Sequence, residues 1–292
     1  MATPLEQTDI TSMLAKAQDK QREFAFSRSD FDRLRQMLYD AAGISLAEYK
    51  MDMVYSRLTR RLRDLKLSSF ADYLSHLEAH QGELGNFINA MTTNLTAFFR
   101  EPHHFDYLTN EYLPARQATG QQQIRVWSAG CSTGAEPYSI AIALRNHPDI
   151  DTRQWPISMI ASDIDSNVLN VARAGVYDLP RIDGIDEALR KRWFLRGKGE
   201  NAGMARVKPE LQAMLDFRLI NLTRPWQLNT RLELIFCRNV MIYFDPPTQC
   251  RILEGMADHL VEGGLLFVGH SESPTRVTDR FELIGKTIYR KR

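Results

Sequence analysis

Ile124-Arg125-Val126-Trp127-Ser128-Ala129-Gly130-Cys131-Ser132-Thr133-Gly134-Ala135-Glu136-Pro137-Tyr138 is the stretch on which the reading of this chain turns. Ile124–Ala129 is a short β-rich run, a glycine turn follows it, and Pro137–Arg145 has a helical pattern. A strand that hands over to a helix through small residues is half of a βαβ unit, and such sheets bind ligands beyond the carboxyl ends of their strands. The spacing is Gly-x-x-x-Gly, short of the Gly-x-Gly-x-x-Gly of dinucleotide sites. Glu136 stands at the mouth of the helix, where a pyrophosphate would normally dock. A carboxylate there repels phosphate and suits a ligand with a cationic end, an α-amino group or a sulfonium. That moves the expected cofactor from a nicotinamide dinucleotide toward S-adenosylmethionine.

Downstream the rhythm repeats. Ile157–Ser162, Leu215–Ile220, Leu232–Phe236 and Leu265–Gly269 are further short apolar runs, with a helical Asn167–Ala174 between the first two. Alternating strands and helices predict right-handed βαβ units and a mostly parallel sheet covered on both faces. Phe281–Gly285 and Thr287–Arg290 read as a closing hairpin, so the sheet is expected to be mixed. Asp163, at the end of the second strand, is placed to accept hydrogen bonds from ribose hydroxyls. Asp165, two residues on, reads better as a helix N-cap. Residues 183–212 interrupt the pattern. Two short extended segments flank Gly197, Gly199 and Gly203 and predict an inserted hairpin or small sheet, with a flexible surface loop as the alternative.

Upstream there is no strand. Ser27 and Asp30 fit a capping box before Phe31, Leu34 and Leu38, and Gly43 supplies a stop. A second helix over Lys50–Leu65 aligns Val54, Leu58, Leu62 and Leu65. A third follows Ser69 and buries Phe70, Tyr73, Leu74 and Leu77, and a fourth covers Leu84–Thr92. Residues 1–23 form a polar tail, with a helix or a loose segment at Ile10–Ala17. On the second helix Arg57, Arg60 and Arg63 recur every third residue, with Arg61 and Lys66 nearby, away from the leucine face. In a chain of net charge +1 this local excess of cation suggests docking to an acidic surface; a solvated face is the plain alternative.

At 292 residues, 43% hydrophobic and 25% charged, the chain suits two globular domains. Its neutrality gives no reason to expect nucleic acid. Cys131, Cys237 and Cys250 show no metal-ligand spacing, so reduced thiols and no metal are expected. No apolar run reaches the ~18–20 residues needed to span a bilayer. The N-terminus carries early acids and lacks the apolar segment of a secretory signal, so the cytoplasm is the expected compartment.

Two further clusters carry polar chemistry. Thr92-Thr93-Asn94-Leu95-Thr96-Ala97-Phe98-Phe99-Arg100-Glu101 lies between the two domains and reads as a linker that closes a cleft, or as a capped helix boundary. Phe236-Cys237-Arg238-Asn239-Val240-Met241-Ile242-Tyr243-Phe244 follows the fourth strand. Asn239 and Tyr243 offer donors and acceptors there and Arg238 a fixed cation, although spacing alone also fits core aromatics at a helix start.

Together these strings resemble the CheR family, the chemotaxis receptor glutamate methyltransferases. The carrying motifs are MTTNLTAFFRE (Met91–Glu101), RVWSAGCSTGAEPYSIA (Arg125–Ala141), ASDID (Ala161–Asp165), FCRNVMIYF (Phe236–Phe244) and LLFVGHSES (Leu265–Ser273). The resemblance implies a class I S-adenosylmethionine methyltransferase fold, α/β and Rossmann-like, with a small all-α N-terminal domain over 24–92. A linker over 93–123, a catalytic domain over 124–292 and a β-subdomain at about 183–212 complete the expected plan. It further implies cofactor contacts at Asn94, Thr96, Arg100, Glu136, Asp163, Asn221, Leu222, Arg238 and Asn239, with Arg100 and Tyr243 beside the transferred methyl. The implied partner is the cytoplasmic domain of methyl-accepting receptors, met by Arg57, Arg60 and Arg63. Their C-terminal tail peptide would be held at the Gly197–Gly203 insert, by a monomeric enzyme that is not inserted in the membrane. One departure is Ala135, where family members usually carry a second glutamate. The competing readings are a class I methyltransferase with another acceptor, and a non-catalytic adaptor that binds the cofactor without turnover.

Overall fold

A computed structural model describes residues 22–292; the helix expected at Ile10–Ala17 lies outside the described residues. The described residues divide into two compact units, one that ends at Met91 and one that runs from Thr92 to Arg292.

In the first unit the helices are α1 (Arg28–Ala42), α2 (Met51–Leu65), α3 (Phe70–Ala79) and α4 (Gln81–Met91). The Ser27 hydroxyl accepts from the Asp30 amide while the Asp30 carboxylate accepts from the Ser27 amide, which closes the expected capping box. Gly43 ends α1 in the left-handed region at φ 70°, where its amide donates to the Tyr39 carbonyl. Phe31, Leu34, Leu38, Val54, Leu58, Leu62, Phe70, Tyr73 and Phe87 are buried together. Glu83 is buried among them, and burial pushes its carboxyl up. Bonds from Arg61, Asn86 and Tyr73 more than offset this and hold it below the ordinary range.

The second unit runs through α5 (His103–Tyr107), α6 (Leu113–Ala118), β1 (Ile124–Ala129), α7 (Ala135–Arg145), β2 (Ile157–Asp163) and α8 (Ser166–Ala174). It continues through β3 (Val176–Asp178), α9 (Leu179–Ile182), α10 (Glu187–Trp193), β4 (Phe194–Arg196), β5 (Met204–Val207), α11 (Pro209–Gln212) and β6 (Leu215–Leu219). It closes with β7 (Leu232–Cys237), α12 (Pro246–His259), β8 (Leu260–Val268), β9 (Phe281–Gly285) and β10 (Ile288–Lys291). Seven strands form one sheet in the order β6-β2-β1-β7-β8-β10-β9. The strands from β6 to β8 pair in parallel, and the β9–β10 hairpin joins antiparallel, as the expected mixed sheet requires. Alternate residues feed opposite faces. Val126, Leu234 and Phe236 pack with α7, and Trp127, Ile235 and Leu266 pack with Ile252, Leu253 and Met256 of α12.

Two stretches depart from the expectation. Residues 93–123, read as a linker, carry a helical segment from His103 to Ala118. Phe105, Leu108, Tyr112 and Leu113 form its apolar stripe and pack against Ile124, Val126 and Phe267 of the sheet. Pro114 has no amide to give, and the turn ahead of it widens to a π-helical Leu108–Tyr112, with the Leu113 amide reaching the Leu108 carbonyl. The second departure is the insert. Its small antiparallel sheet has the order β3-β5-β4 and starts at Val176, before the expected 183. The three-residue β3 follows the Gly175 cap of α8 too closely to show a pattern of its own. The expected hairpin is β4–β5. A Cβ at Gly197 would lie 2.0 Å from the Asn201 carbonyl oxygen, so only glycine fits there.

Candidate cofactor and active site

The turn after β1 needs both its glycines. Gly130 has φ 82°, and a Cβ there would come within 2.4 Å of Val240 Cγ2; Gly134 has φ 91°, and a Cβ there would meet the Tyr177 hydroxyl at 2.8 Å. The amides of Gly130 and Cys131 both donate to the Ser162 carbonyl at 2.8 Å, which ties the turn to the tip of β2.

At that tip, Asp163 faces the turn. Its Oδ2 accepts from the Ser132 amide at 2.8 Å and its Oδ1 from the Asp165 amide at 3.0 Å. Burial pushes the Asp163 carboxyl up, and these amides pull against it. Each oxygen keeps a lone-pair site for a further donor. Asp165 is the N-cap of α8, with Oδ1 accepting from the Asn167 and Val168 amides. Its other oxygen receives the Thr92 hydroxyl and the Asn94 amide nitrogen, both at 2.7 Å. The TNLT segment is thereby fastened to the second strand tip, and the Ser132 hydroxyl completes the fastening on the Asn94 carbonyl at 2.9 Å. Thr96 is half-buried on the same segment. Asn221 and Leu222 follow β6, whose end is bound to Asp163 by the Ile220 amide at 3.0 Å. The Asn221 side chain turns back to accept from Thr223.

Glu136, in the first turn of α7, is buried. Its Oε1 accepts from the Ser128 hydroxyl at 2.7 Å and its Oε2 from Arg238 Nη1 at 3.1 Å. Burial pushes this carboxyl above the ordinary range, against the pull of Arg238 and Ser128. The same guanidinium donates to the Arg100 carbonyl and stands 3.6 Å from Glu101 Oε2. Glu101 also meets exposed His270, at 3.3 Å. Glu101, His103 and His104 bring ligand atoms within 4.8 Å of one another, but the guanidinium beside Glu101 already supplies the positive charge. His104 is fully buried, and desolvation with nearby Arg238 and His103 drives its pKa down to about 2.

A residue that the sequence reading did not single out organises the third cluster. Glu272 accepts from the backbone amides of Gly269, Asn239, Val240 and Met241 at 2.6–2.9 Å. It holds Asn239 in the left-handed region at φ 59°. Tyr243, at the end of the loop, donates to the Thr93 carbonyl at 3.3 Å. Arg100 is half-buried and donates to the Leu95 carbonyl at 3.1 Å.

The basic stripe of α2 is not uniformly available. Arg57 donates to the Met91 carbonyl at 2.6 Å, Arg61 pairs with Glu83 at 2.6 Å, and Arg63 donates to Glu23. Arg60 is different, with its side chain 87% exposed and Asp64 4.0 Å away. Periodicity could not separate these fates. Cys131 and Cys237 are buried, and burial pushes both thiols up and keeps them protonated.

The strand tips thus collect four buried carboxylates, Glu136, Asp163, Asp165 and Glu272, against one buried guanidinium, Arg238, among the described residues. Asp165 and Glu272 each have both oxygens filled by two protein donors, which leaves Glu136 and Asp163 as the groups fit for a ligand with cationic and hydroxyl ends. This chemistry fits S-adenosylmethionine, with its ammonium, sulfonium and ribose. The fold and site define a class I methyltransferase domain attached to a small all-α unit. The CheR methyltransferase SAM binding domain matches residues 94–290, and the CheR methyltransferase all-alpha domain matches residues 29–92. The chain is 51% identical to Chemotaxis protein methyltransferase 2 of Pseudomonas aeruginosa, over 92% of its own length and 95% of that protein. It is 45% identical to Chemotaxis protein methyltransferase of Escherichia coli, over 96% and 95% of the two chains. The chain belongs to the CheR family. It is an S-adenosylmethionine-dependent methyltransferase of chemotaxis.

Proposed function

We propose that this enzyme esterifies glutamate side chains on the cytoplasmic domains of methyl-accepting chemotaxis receptors, giving glutamate methyl esters and S-adenosylhomocysteine. The observation that carries the reading is the pair of buried carboxylates, Glu136 in the helix turn that follows β1 and Asp163 at the end of the adjacent β2, in a chain so close to chemotaxis methyltransferases.

When bound, S-adenosylmethionine supplies an electrophilic methyl group. Glu136 holds its cationic end, Asp163 accepts from its ribose hydroxyls, and Asn94, Thr96, Arg100, Asn221, Leu222, Arg238 and Asn239 line the rest. A substrate glutamate has a reference pKa near ~4.3 and is a carboxylate at neutral pH, so no general base is needed. This agrees with the protonated thiols of Cys131 and Cys237 and the neutral buried His104. Alignment and exclusion of water are what remain for the protein to provide. Arg100 and Tyr243 supply the alignment, each able to hold a carboxylate oxygen with a side-chain donor. Charge is neutralised as the new bond forms, so a tight ion pair with Arg100 would favour reactants; its part is to orient.

Receptor recognition falls to the basic face of α2, with Arg60 as its freest member beside Arg57 and Arg63. The β4–β5 hairpin, with Gly197, Gly199 and Gly203, takes the receptor's C-terminal tail peptide. The enzyme works as a cytoplasmic monomer. No helix of the described residues is long and apolar enough to cross a membrane.

The test is transfer of label from S-adenosylmethionine to receptor-bearing membranes, read as base-labile methyl ester. Base-stable product, or transfer to free small acids with none to receptor, would overturn the proposal. Cofactor binding without any transfer would point to an adaptor.

A further inference from the structure

We infer that Tyr177 is a positioning residue of the cofactor site, through which the small three-stranded sheet sets the pocket's affinity for S-adenosylmethionine and S-adenosylhomocysteine. The inference rests on the cofactor reading above and goes beyond it, because Tyr177 belongs to the inserted sheet.

Tyr177 is the central residue of β3 and is 4% exposed. Its hydroxyl donates to the Thr133 carbonyl at 2.7 Å. Burial pushes the phenol well above its ordinary range, so the hydroxyl keeps its proton and remains a donor at working pH. A second bond converges on the same residue, from Arg181 Nη2 of α9 to the Thr133 hydroxyl at 3.0 Å. A Cβ at Gly134 would meet the same hydroxyl at 2.8 Å, with Ala172 Cβ next at 3.0 Å. The glycine turn is therefore clamped from above by the insert as well as from below by Ser162.

The ring does a second job. Phe98 sits edge-on to Tyr177 with centroids 5.1 Å apart, and edge-on to Phe194 of β4 at 5.6 Å. Phe98 lies between Thr96 and Arg100 on the segment proposed to touch the cofactor. One face of the small sheet thus fixes two sides of the pocket, the Ser132–Gly134 turn by hydrogen bonds and the Thr96–Arg100 segment by an aromatic wedge. Coupling of this kind is reciprocal. If the sheet orders the pocket, a ligand in the pocket must order the sheet.

The experiment uses the full chain and S-adenosylhomocysteine as probe. Tyr177→Phe keeps the ring and its packing and removes only the hydroxyl. We expect wild type to bind the probe, and Tyr177→Phe to bind about 3- to 10-fold more weakly, the range for one lost hydrogen bond. The probe should slow amide exchange across Val176–Val207 in wild type and do so less in the variant, a signature that simple loss of local stability would not give. Arg181→Ala changes an exposed side chain, should lose about 2- to 3-fold, and carries the test if Tyr177→Phe does not fold. Normal probe binding by wild type with no change of exchange in the sheet, or wild-type affinity in both variants, would overturn the inference alone. No binding by wild type would overturn the cofactor reading and this inference with it.

Discussion

Arg238 and Glu136 form a buried ion pair beyond the sheet's carboxyl edge, with Nη1 3.1 Å from Oε2 and neither residue more than 8% exposed. Removing one member of such a pair leaves the other charge stranded, at a cost of about 3–5 kcal/mol. Arg238→Met should therefore destabilise the methyltransferase unit by about that amount. Glu136→Gln should be milder, because Arg238 keeps Glu101, yet it should weaken S-adenosylhomocysteine binding about tenfold or more by deleting the negative charge. Denaturant unfolding and calorimetry separate the two effects. Equal destabilisation with unchanged affinity would remove Glu136 from the cofactor site.

Glu272 supplies the clearest case of a carboxylate that acts on backbone alone. Glu272→Gln turns an amide nitrogen toward amides that need an acceptor, which costs about 1–3 kcal/mol per unsatisfied buried group. We expect lower stability together with a several-fold loss of methyl transfer, because Asn239 and Tyr243 sit on the loop it holds. Wild-type turnover by the variant would show that the loop keeps its shape without this anchor.

Arg60→Glu should slow receptor methylation several-fold and leave cofactor affinity and unfolding unchanged. Arg63→Glu faces Glu23 and should cost some stability as well. Parallel methylation assays and melting curves test both. Loss of cofactor binding in Arg60→Glu would mean a folding defect instead of a docking one.

His104 sets a pH dependence with a definite sign. Its native pKa, about 2, lies below the unfolded value of 6.5. Stability from its burial is thus complete above the unfolded value and is lost as pH falls toward the native one. Between pH 7.5 and 5.5 this amounts to about 1.4 kcal/mol. The buried carboxyls of Glu136, Asp163 and Glu272, raised by desolvation, act in the opposite sense and are common to both proteins compared. Urea unfolding followed by tryptophan fluorescence reports the second unit, since Trp127, Trp155, Trp193 and Trp226 all lie there. Over that interval wild type should lose about 1.4 kcal/mol more than His104→Gln. Identical losses would show that His104 charges in the native state.

Much of the fold was legible because it is local. The Ser27–Asp30 box, the Gly43 stop and the Asp165 cap each join groups within four residues, so their chemistry is written in adjacent letters. The glycine turn was readable for the same reason. The helix at 103–118 is not legible in the sequence, because Pro114 and the polar residues around it mask an apolar stripe whose partner is the sheet. In the candidate site, Asp163 and Arg238 stand out in the sequence as polar residues at strand ends, and Asn94 as part of a polar cluster between the two domains. Glu272 lies within the Leu265–Ser273 motif, but nothing in those residues says that four amides from two loops converge on it.

The sequence by itself determined the alternation of strands and helices, the helix caps and the apolar faces of the first unit, because hydrogen-bond caps and side-chain periodicity act over a few residues. Only the tertiary structure decided what each charge meets. Arg57, Arg60 and Arg63 share one spacing, yet Met91 takes the first, Glu23 takes the third, and Arg60 is left largely in solvent. Electrostatic and hydrogen-bond partners are chosen by distance in space, and chain folding brings together residues whose separation along the sequence carries no signal.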